Sequence, residues 1–372
     1  MSVTIKPADV SRDMRTFFNL SGRLYRDDTC YVEPLRMSIR HMFDKKKNAF
    51  FEHASIQPYI AFRNGKAVGR ICAIHNRLYN ELHGDGTGFF GFFDCMEDRE
   101  AADLLYGTAE SWLRDRGLDT AVGPMSFSTN DLSPGFLVSG FQSPPFIEMT
   151  HCPPYYAALA EEAGYEKACD VLAFRIPIQQ EIDRRIVDLA RKVKEKRGIR
   201  IRYFDPRHFD RDIAFMKDIY NSAWEKNWGF VPFTDAEFDQ LARDFNKIKI
   251  DQLAQIAEVN GVPAGFSLTL PNINEALIHM NGRLFPFGFV KYLWWSGKIR
   301  GLRMLALGIK PEFRKRGVDI MLYYYNMIEG QKLGYATGEL SWVLETNTPI
   351  ITAARYVKGE EYKRYRIFRK RL

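Results

Sequence analysis

The stretch AEVNGVPAGF (residues 257–266) sets two short runs on either side of Asn260-Gly261, and AFRNGKAVGR (61–70) repeats the arrangement around Asn64-Gly65. Asn and Gly tolerate the positive φ that a two-residue hairpin turn requires, so each stretch is expected to form a β-hairpin. Ala61, Asn64, Gly65 and Gly69 match Ala257, Asn260, Gly261 and Gly265 at an offset of 196 residues. Internal repetition decides a fold before any single element does. The same offset relates VTIKPAD to IRIRYFD, pairing Val3, Ile5 and Asp9 with Ile199, Ile201 and Asp205 as two opening strands.

Further along, the offset becomes 217: Leu105, Tyr106, Gly117, Thr129 and Asn130 match Leu322, Tyr323, Gly334, Thr346 and Asn347. The pattern is helix, glycine stop, strand. Pro154 to Gly164 then returns as Pro349 to Gly359, a short helix closed by glycine before a terminal strand. The shifts place an insertion around 271–303 in the second half and a compensating one near 131–152 in the first. Ordered matches of this kind indicate a tandem duplication. Each unit reads β, α-rich segment, β-hairpin, β, helix, β, helix, β, an α/β (α+β) fold with a mixed sheet. The expected domains are 1–178 and 198–372, joined over 179–197 by a helix carrying Ile182, Ile186, Leu189 and Val193 at helical spacing.

Of the 372 residues, 46% are hydrophobic and 27% charged, which is globular composition rather than disorder. No run reaches the roughly 18 to 20 apolar residues of a membrane span, and the charged start MSVTIKPADVSRDMR does not read as a secretory signal. Five scattered cysteines, with no Cys-x-x-Cys and no His pair at zinc spacing, point to a reducing cytoplasm and to no metal. The net charge of +7 suits nucleic acid, anionic lipid or an acidic cofactor. Hydrolase and NTPase motifs such as Gly-x-Ser-x-Gly and Gly-x-x-x-x-Gly-Lys-Ser/Thr are absent.

In LALGIKPEFRKRGVDIMLYYY (305–325) a strand runs into Arg314-Lys315-Arg316-Gly317-Val318 and then a helix. Backbone N–H groups at a helix N-terminus, a glycine admitting close approach, and flanking cations form an anion site; the plain alternative is a solvated surface turn. The element order and this loop resemble the GCN5-related N-acetyltransferase (GNAT) fold in tandem. In that family the stretch binds the acyl-CoA pyrophosphate, usually as Arg/Gln-x-x-Gly-x-Gly/Ala, and Asp319 departs from the final small position. The resemblance implies that Arg314, Arg316, Gly317 and Val318 hold the cofactor and that backbone N–H groups of Leu307, Gly308 and Ile309 polarise the acyl carbonyl. In the first half, Glu97 and Glu100 occupy the places of Arg314 and Gly317, and acids there repel a pyrophosphate. The first unit is therefore expected to support the second and its 127–156 loop to help close an acceptor pocket; Asn130, Asp131 and His151 are candidates there, with the capping of helices and turns as the commoner role of such loop residues.

Together, NGRLFPFGFVKYLWW (281–295), GELSWVLETN (338–347) and KRYRIFRK (363–370) resemble the tandem-GNAT family that includes the bacterial ceramide synthases. That resemblance implies transfer of a fatty acyl group from acyl-CoA to the amine of a sphingoid base. Phe289, Tyr292, Trp295, Ile299 and Leu302 have helical spacing, and Lys291, Lys298, Arg300 and Arg303 set basic heads beside them. Such a segment suits a bilayer interface or lipid-pocket mouth, with a core helix as the alternative; a cytoplasmic enzyme peripheral on the inner face of the membrane is expected.

N-acylation from a thioester needs a deprotonated amine, a polarised carbonyl and a proton for the leaving thiolate. An alkylamine has a pKa of about 10.4, so a carboxylate near the splayed strands is required, and Glu345 is the first choice. The family pattern makes Tyr356 the nearest tyrosine to serve the thiolate. Asn347 stands either at the pantetheine arm or as a helix N-cap. His279 and Glu225 are reserve bases, and Trp224, Trp228, His279, Tyr292 and Trp295 are acceptor-side candidates. Transfer from aminoacyl-tRNA would need no CoA loop, so nucleic acid is not expected. An acetyltransferase for small amines and a non-catalytic acyl-CoA or lipid sensor remain the alternatives.

Overall fold

The computed structural model describes residues 2–9, 12–130 and 134–372. The first half runs β1 (Val3–Pro7), α1 (Met14–Leu24), α2 (Arg36–Met42), β2 (Ala54–Arg63), β3 (Lys66–Asn76), α3 (Arg77–His83), β4 (Thr87–Cys95), α4 (Arg99–Arg114), β5 (Thr120–Gly123), β6 (Phe136–Ser139), α5 (Tyr155–Glu162) and β7 (Glu166–Pro177). After α6 (Arg184–Arg197) the order returns: β8 (Ile199–Tyr203), α7 (Phe209–Trp224), α8 (Asp235–Asn246), β9 (Ala254–Val259), β10 (Val262–Pro271), α9 (Asn274–Leu277), α10 (Gly288–Ser296), β11 (Gly301–Ile309), α11 (Val318–Lys332), β12 (Thr337–Leu344), α12 (Thr348–Tyr356) and β13 (Glu360–Arg371). The duplication is present apart from α10, extra in the second half, and β6, extra in the first, and the fold is the expected α/β tandem.

Both hairpins form where the Asn-Gly pairs place them. Arg63 pairs with Lys66 and Val259 with Val262, and the turn residues Asn64, Gly65, Asn260 and Gly261 all have positive φ, as a type I′ turn demands. The C-terminal end of α12 differs from expectation: Lys358, not Gly359, takes the left-handed conformation. Gly359 is needed for another reason, since a Cβ there would lie 2.7 Å from the Ala354 carbonyl oxygen.

Two compact units emerge, one of residues 1–172, 274–297 and 363–372, the other of 173–273 and 298–362. In the first, the strands run β1, β2, β3, β4, β5, β13, β7; Phe368 of β13 pairs with Gly123 of β5. In the second the order is β7, β12, β11, β10, β9, β8, with residues 173–177 contributing the β7 edge. Each half of the sequence thus lends part of its closing strand to the unit built on the other.

The second unit's core lies between its sheet and the helices α6 and α11, where Val193, Ile199, Val259, Val318, Met321 and Leu322 are buried together. On α6 the buried stripe is Ile186, Ala190 and Val193, while Leu189 is 41% exposed; small Ala190, not Leu189, faces the sheet side. No helix among the described residues is long and apolar enough to cross a membrane.

Candidate active site

A parallel pair of strands that stops pairing early opens a V-shaped gap. Strands β11 and β12 pair from Gly301↔Thr337 to Met304↔Leu340 and no further, although β11 continues to Ile309 and β12 to Leu344. Beyond the last pair, Leu305, Ala306 and Leu307 are only half-buried on a central strand. On the other side of β11, Leu268 of β10 pairs with Ala306 and Thr269 with Met304, leaving Leu305 as a β-bulge. A bulge re-aims the backbone groups beside it, and this one marks where β11 departs from β12. Leu307, Gly308 and Ile309 follow directly.

The far end of β11 is packed from one side by α7. A Cβ on Gly308 would meet the Trp224 ring at 2.3 Å, so only glycine lets the indole lie on the strand. Trp224 also stacks on Tyr220, with centroids 4.6 Å apart. Arg314 spans the same junction, donating from Nη2 to the Ala223 carbonyl at 2.7 Å and from Nε to that of Ile309 at 3.3 Å. The structure thus brings Trp224, Gly308, Ile309 and Arg314 together. Trp228, on the loop after α7, is 37% exposed.

The loop ends in Gly317, the N-cap of α11, with φ 86° and no side-chain cap. The first N–H groups of a helix lack intrahelical partners, and the dipole adds positive potential there. Arg314, Lys315 and Arg316 are all exposed around it. From below, Arg197 donates to the Lys315 carbonyl at 3.2 Å and Val193 fills the space under Gly317. Asp319 lies in the first turn of α11. Burial, and then the Asp319 charge, raise the Tyr323 phenol above its ordinary range.

The equivalent place in the first unit is closed. Asp98 is the N-cap of α4 and accepts from the Ala101 amide, so the acid that takes this helix end is Asp98, between Glu97 and Glu100. Arg63 pairs with both Asp98 and Glu100, and hydrogen bonds from Arg63 hold both carboxyls below their usual range. Strands β4 and β5 also part after Phe89↔Val122, but there Met125 donates to the Phe90 carbonyl at 2.9 Å. A Cβ on Gly91 would fall 1.6 Å from the Met125 oxygen. Backbone fills the gap, and Phe127 seals it against Phe43, Phe50 and Phe92.

In the 127–156 loop Asp131 lies outside the described residues. The Asn130 backbone N–H donates to Ser128 Oγ at 3.2 Å. His151 is buried with Nε2 2.7 Å from Asp28 Oδ2, and burial lowers its pKa although Asp28 opposes the shift.

Glu345 is half-buried in the turn after β12, and Asn347 caps α12, accepting from the Ile350 amide. Tyr356, at the end of α12, is 49% exposed with the Arg185 guanidinium 5.5 Å from its ring centre. Glu225 follows α7 and is exposed. His279, Tyr292 and Trp295 belong to the first unit, where Trp295 stacks on His279 at 3.8 Å between centroids and burial raises the Tyr292 phenol. Helix α10 spans only Gly288–Ser296, so the expected stripe breaks at Ile299. Leu302 and Arg303 lie on β11 and are buried; neither belongs to an amphipathic helix.

Sequence reasoning missed a cluster at the root of the V. Arg303, Glu339 and Ser341 are 0%, 1% and 3% exposed. Arg303 donates from Nε to Ser341 Oγ at 2.8 Å, Ser341 donates to Glu339 Oε1 at 2.5 Å, and Tyr362 donates to Glu339 Oε2. The signal was present: a lone arginine inside GLRMLALGI, and Glu and Ser two apart in GELSWVLETN, on one face of a strand.

The chain is 35% identical over 381 residues to a bacterial ceramide synthase of Caulobacter vibrioides (strain NA1000 / CB15N), an alignment covering 100% of this chain and 98% of that protein. It belongs to the bacterial ceramide synthase family. It is an N-acyltransferase. Protein YghO of Escherichia coli (strain K12) is 34% identical over 370 residues, covering 97% of this chain and 93% of YghO. No family model matches. Among solved structures, a tandem GNAT protein from the clavulanic acid biosynthesis pathway superposes with a TM-score of 0.59 at 11% identity, covering 100% of this chain and 98% of that one. A GCN5-related N-acetyltransferase from Sphaerobacter thermophilus gives 0.55 at 15%, covering 99% and 95%. At these identities the likeness is one of fold.

Proposed function

We propose that this N-acyltransferase takes a long-chain fatty acyl group from acyl-CoA and transfers it to the amine of a sphingoid base by direct attack on the thioester. The observation that carries the reading is the contrast between two equivalent helix ends. The N-terminus of α4 is capped by Asp98, whereas that of α11 has no side-chain cap and three exposed cations beside it. Arg314, Arg316, Gly317 and Val318 would hold the pyrophosphate; Arg314 has five N–H donors, and two are used on carbonyls. Backbone N–H groups of Leu307, Gly308 and Ile309, past the bulge, would meet the acyl carbonyl, an oxyanion-hole contribution. Asn347 would meet the pantetheine arm, Tyr356 would serve the thiolate, and Glu345 is the sequence's choice for the amine proton.

The lipid class of the acceptor is supported by the named relative and by α10. Phe285, Phe287, Val290 and Trp294 are 72%, 74%, 64% and 67% exposed, with Lys291 and Lys298 exposed beside them. Contiguous exposed apolar side chains with basic neighbours suit an anionic bilayer interface. Within the second unit, Trp228 remains an acceptor-side candidate.

The deciding experiment is thiol release from short- and long-chain acyl-CoAs with and without sphinganine, followed by mass analysis. Amine-dependent release from long-chain donors with an N-acyl product is expected. Release confined to acetyl-CoA and small amines would overturn the lipid reading, and acyl-CoA binding without release would replace it with a sensor. Sedimentation with phosphatidylglycerol vesicles tests the membrane contact, which would be lost in a Phe285→Ser, Phe287→Ser, Trp294→Ser variant.

A further inference from the structure

The buried cluster at the root of the V has a polarity that a purely architectural network does not need. Leu302 packs toward Gly330 of α11, so Arg303 projects to the opposite face of β11. That is the face on which Trp224 of α7 lies against Gly308. Arg303 pairs in register with Glu339, one step before the last parallel pair, and Ser341 is the first β12 residue beyond that pair. The Ser341 hydroxyl therefore stands where the strands begin to part.

A hydroxyl has one proton and two lone pairs. At Ser341 the proton goes to Glu339 and one lone pair accepts from Arg303. Among the described residues the second lone pair is left over, which is what an incoming ammonium requires. Behind it, Glu339 is a carboxylate held by two hydroxyls, with the Arg303 Nε 3.7 Å from Oε1.

We propose that Glu339, reached through the Ser341 hydroxyl, accepts the proton of the acceptor amine, in place of Glu345. The proposal rests on the amine acyl transfer described above. The ammonium donates to Ser341 Oγ, Ser341 passes its own proton to Glu339, and the freed amine attacks the thioester carbonyl carbon. The C–N bond forms, the C–S bond breaks, and the second amine proton goes to the leaving thiolate. One proton stays on the amide nitrogen, and Glu339 returns its proton to solvent. Tyr362 and Arg303 are positioning residues: they fix the carboxylate and the hydroxyl.

The test compares wild type with Glu339→Gln, Ser341→Ala and Glu345→Gln, reading sphinganine-dependent thiol release from a long-chain acyl-CoA between pH 6.5 and 9.5 and acyl-CoA affinity separately. A general base contributes roughly 10²–10⁴-fold. Glu339→Gln is expected to lower kcat at neutral pH by about 10²-fold or more, with acyl-CoA affinity changed less than twofold. Its deficit should shrink as rising pH deprotonates the amine without help. Ser341→Ala should show the same pH-dependent deficit, and a deficit of this kind in Glu345→Gln but not in Glu339→Gln overturns the proposal. A folded Glu339→Gln with an unchanged profile, or an equal loss at every pH, overturns the proposal. If Glu339→Gln does not fold, a wild-type profile in Ser341→Ala overturns it. Wild type without amine-dependent release would overturn the functional reading beneath, an outcome distinct from failure of Glu339 alone.

Discussion

The α11 loop rests on a contact that a single methyl group tests. Gly317 has φ +86°, and a Cβ there would lie 2.8 Å from Val193 Cγ2 and 3.0 Å from Cγ1. Gly317→Ala therefore meets two separable costs. A side chain in the left-handed region costs about 1–2 kcal/mol, and forcing a methyl into filled space costs typically about 1–3 kcal/mol. The expected loss is about 2–5 kcal/mol. Val193→Ala removes two buried methyl equivalents at about 0.8 kcal/mol each, before any cavity term. In the double variant the clash is relieved and the backbone cost remains, so the two losses should fall short of additive by about 1–3 kcal/mol. Urea unfolding of the four proteins reads this coupling, and acyl-CoA affinity below the unfolding range reads the loop. Additivity within about 0.5 kcal/mol would refute the packing of α6 beneath the loop.

Charge reversal at Arg314 should weaken acyl-CoA binding most among the loop and cleft variants. Two charge units at about 1 kcal/mol each in a water-like medium amount to roughly 30-fold. Glu345→Gln and Tyr356→Phe should stay within twofold, and equal affinity in all three refutes the loop assignment. Burial pushes the Asp212 carboxyl up, but hydrogen bonds from Arg202, the Asp205 amide and Arg211 outweigh it and hold the pKa below its usual value. A depressed folded pKa means stability that is full above the unfolded value of about 3.9 and lost as pH falls through the folded one. Asp212→Asn should thus cost about 3 kcal/mol at pH 7 and flatten the acid limb of stability against pH. Deleting Lys363–Leu372 should expose residues 1–172 to limited proteolysis, because β13 pairs with β5; an unchanged digestion pattern would refute that strand's role.

What was legible in the sequence was local. Asn64-Gly65 and Asn260-Gly261 announce their hairpins because the turn's backbone requirement is met by two adjacent residues. Arg314 to Val318 announce a loop that runs into an uncapped helix N-terminus for the same reason. The bulge at Leu305 depends on how β10 lies against β11, and nothing in LALGI requires it. By spacing alone Arg303 falls among the basic residues that follow α10, because Ile299 and Leu302 continue a helical pattern; Gly297 and Gly301, which end the helix and begin the strand, are the better guide. The exchange of closing strands is invisible to a repeat comparison, since β13 resembles β7 wherever it pairs.

The two units supply an internal comparison for the site. Both have a strand pair that parts, followed by a helix whose N-terminus faces the parting. In the first, Asp98 takes the helix end and Met125 takes the gap; in the second, Gly317 leaves the helix end uncapped and β11 runs five residues past its last β12 partner. Backbone geometry alone therefore does not make a cofactor site, because the same geometry is self-satisfied in one copy. What separates them is whether the chain satisfies its own orphan amides. A capping carboxylate is a tethered anion, and a tethered anion excludes a diffusible one from the same N–H groups. The structural counterparts are thus the N-caps, Asp98 and Gly317, two residues out of step with the repeat that pairs Gly317 with Glu100. The closure of the helix end in the first unit follows from a residue that alignment by repeat does not single out.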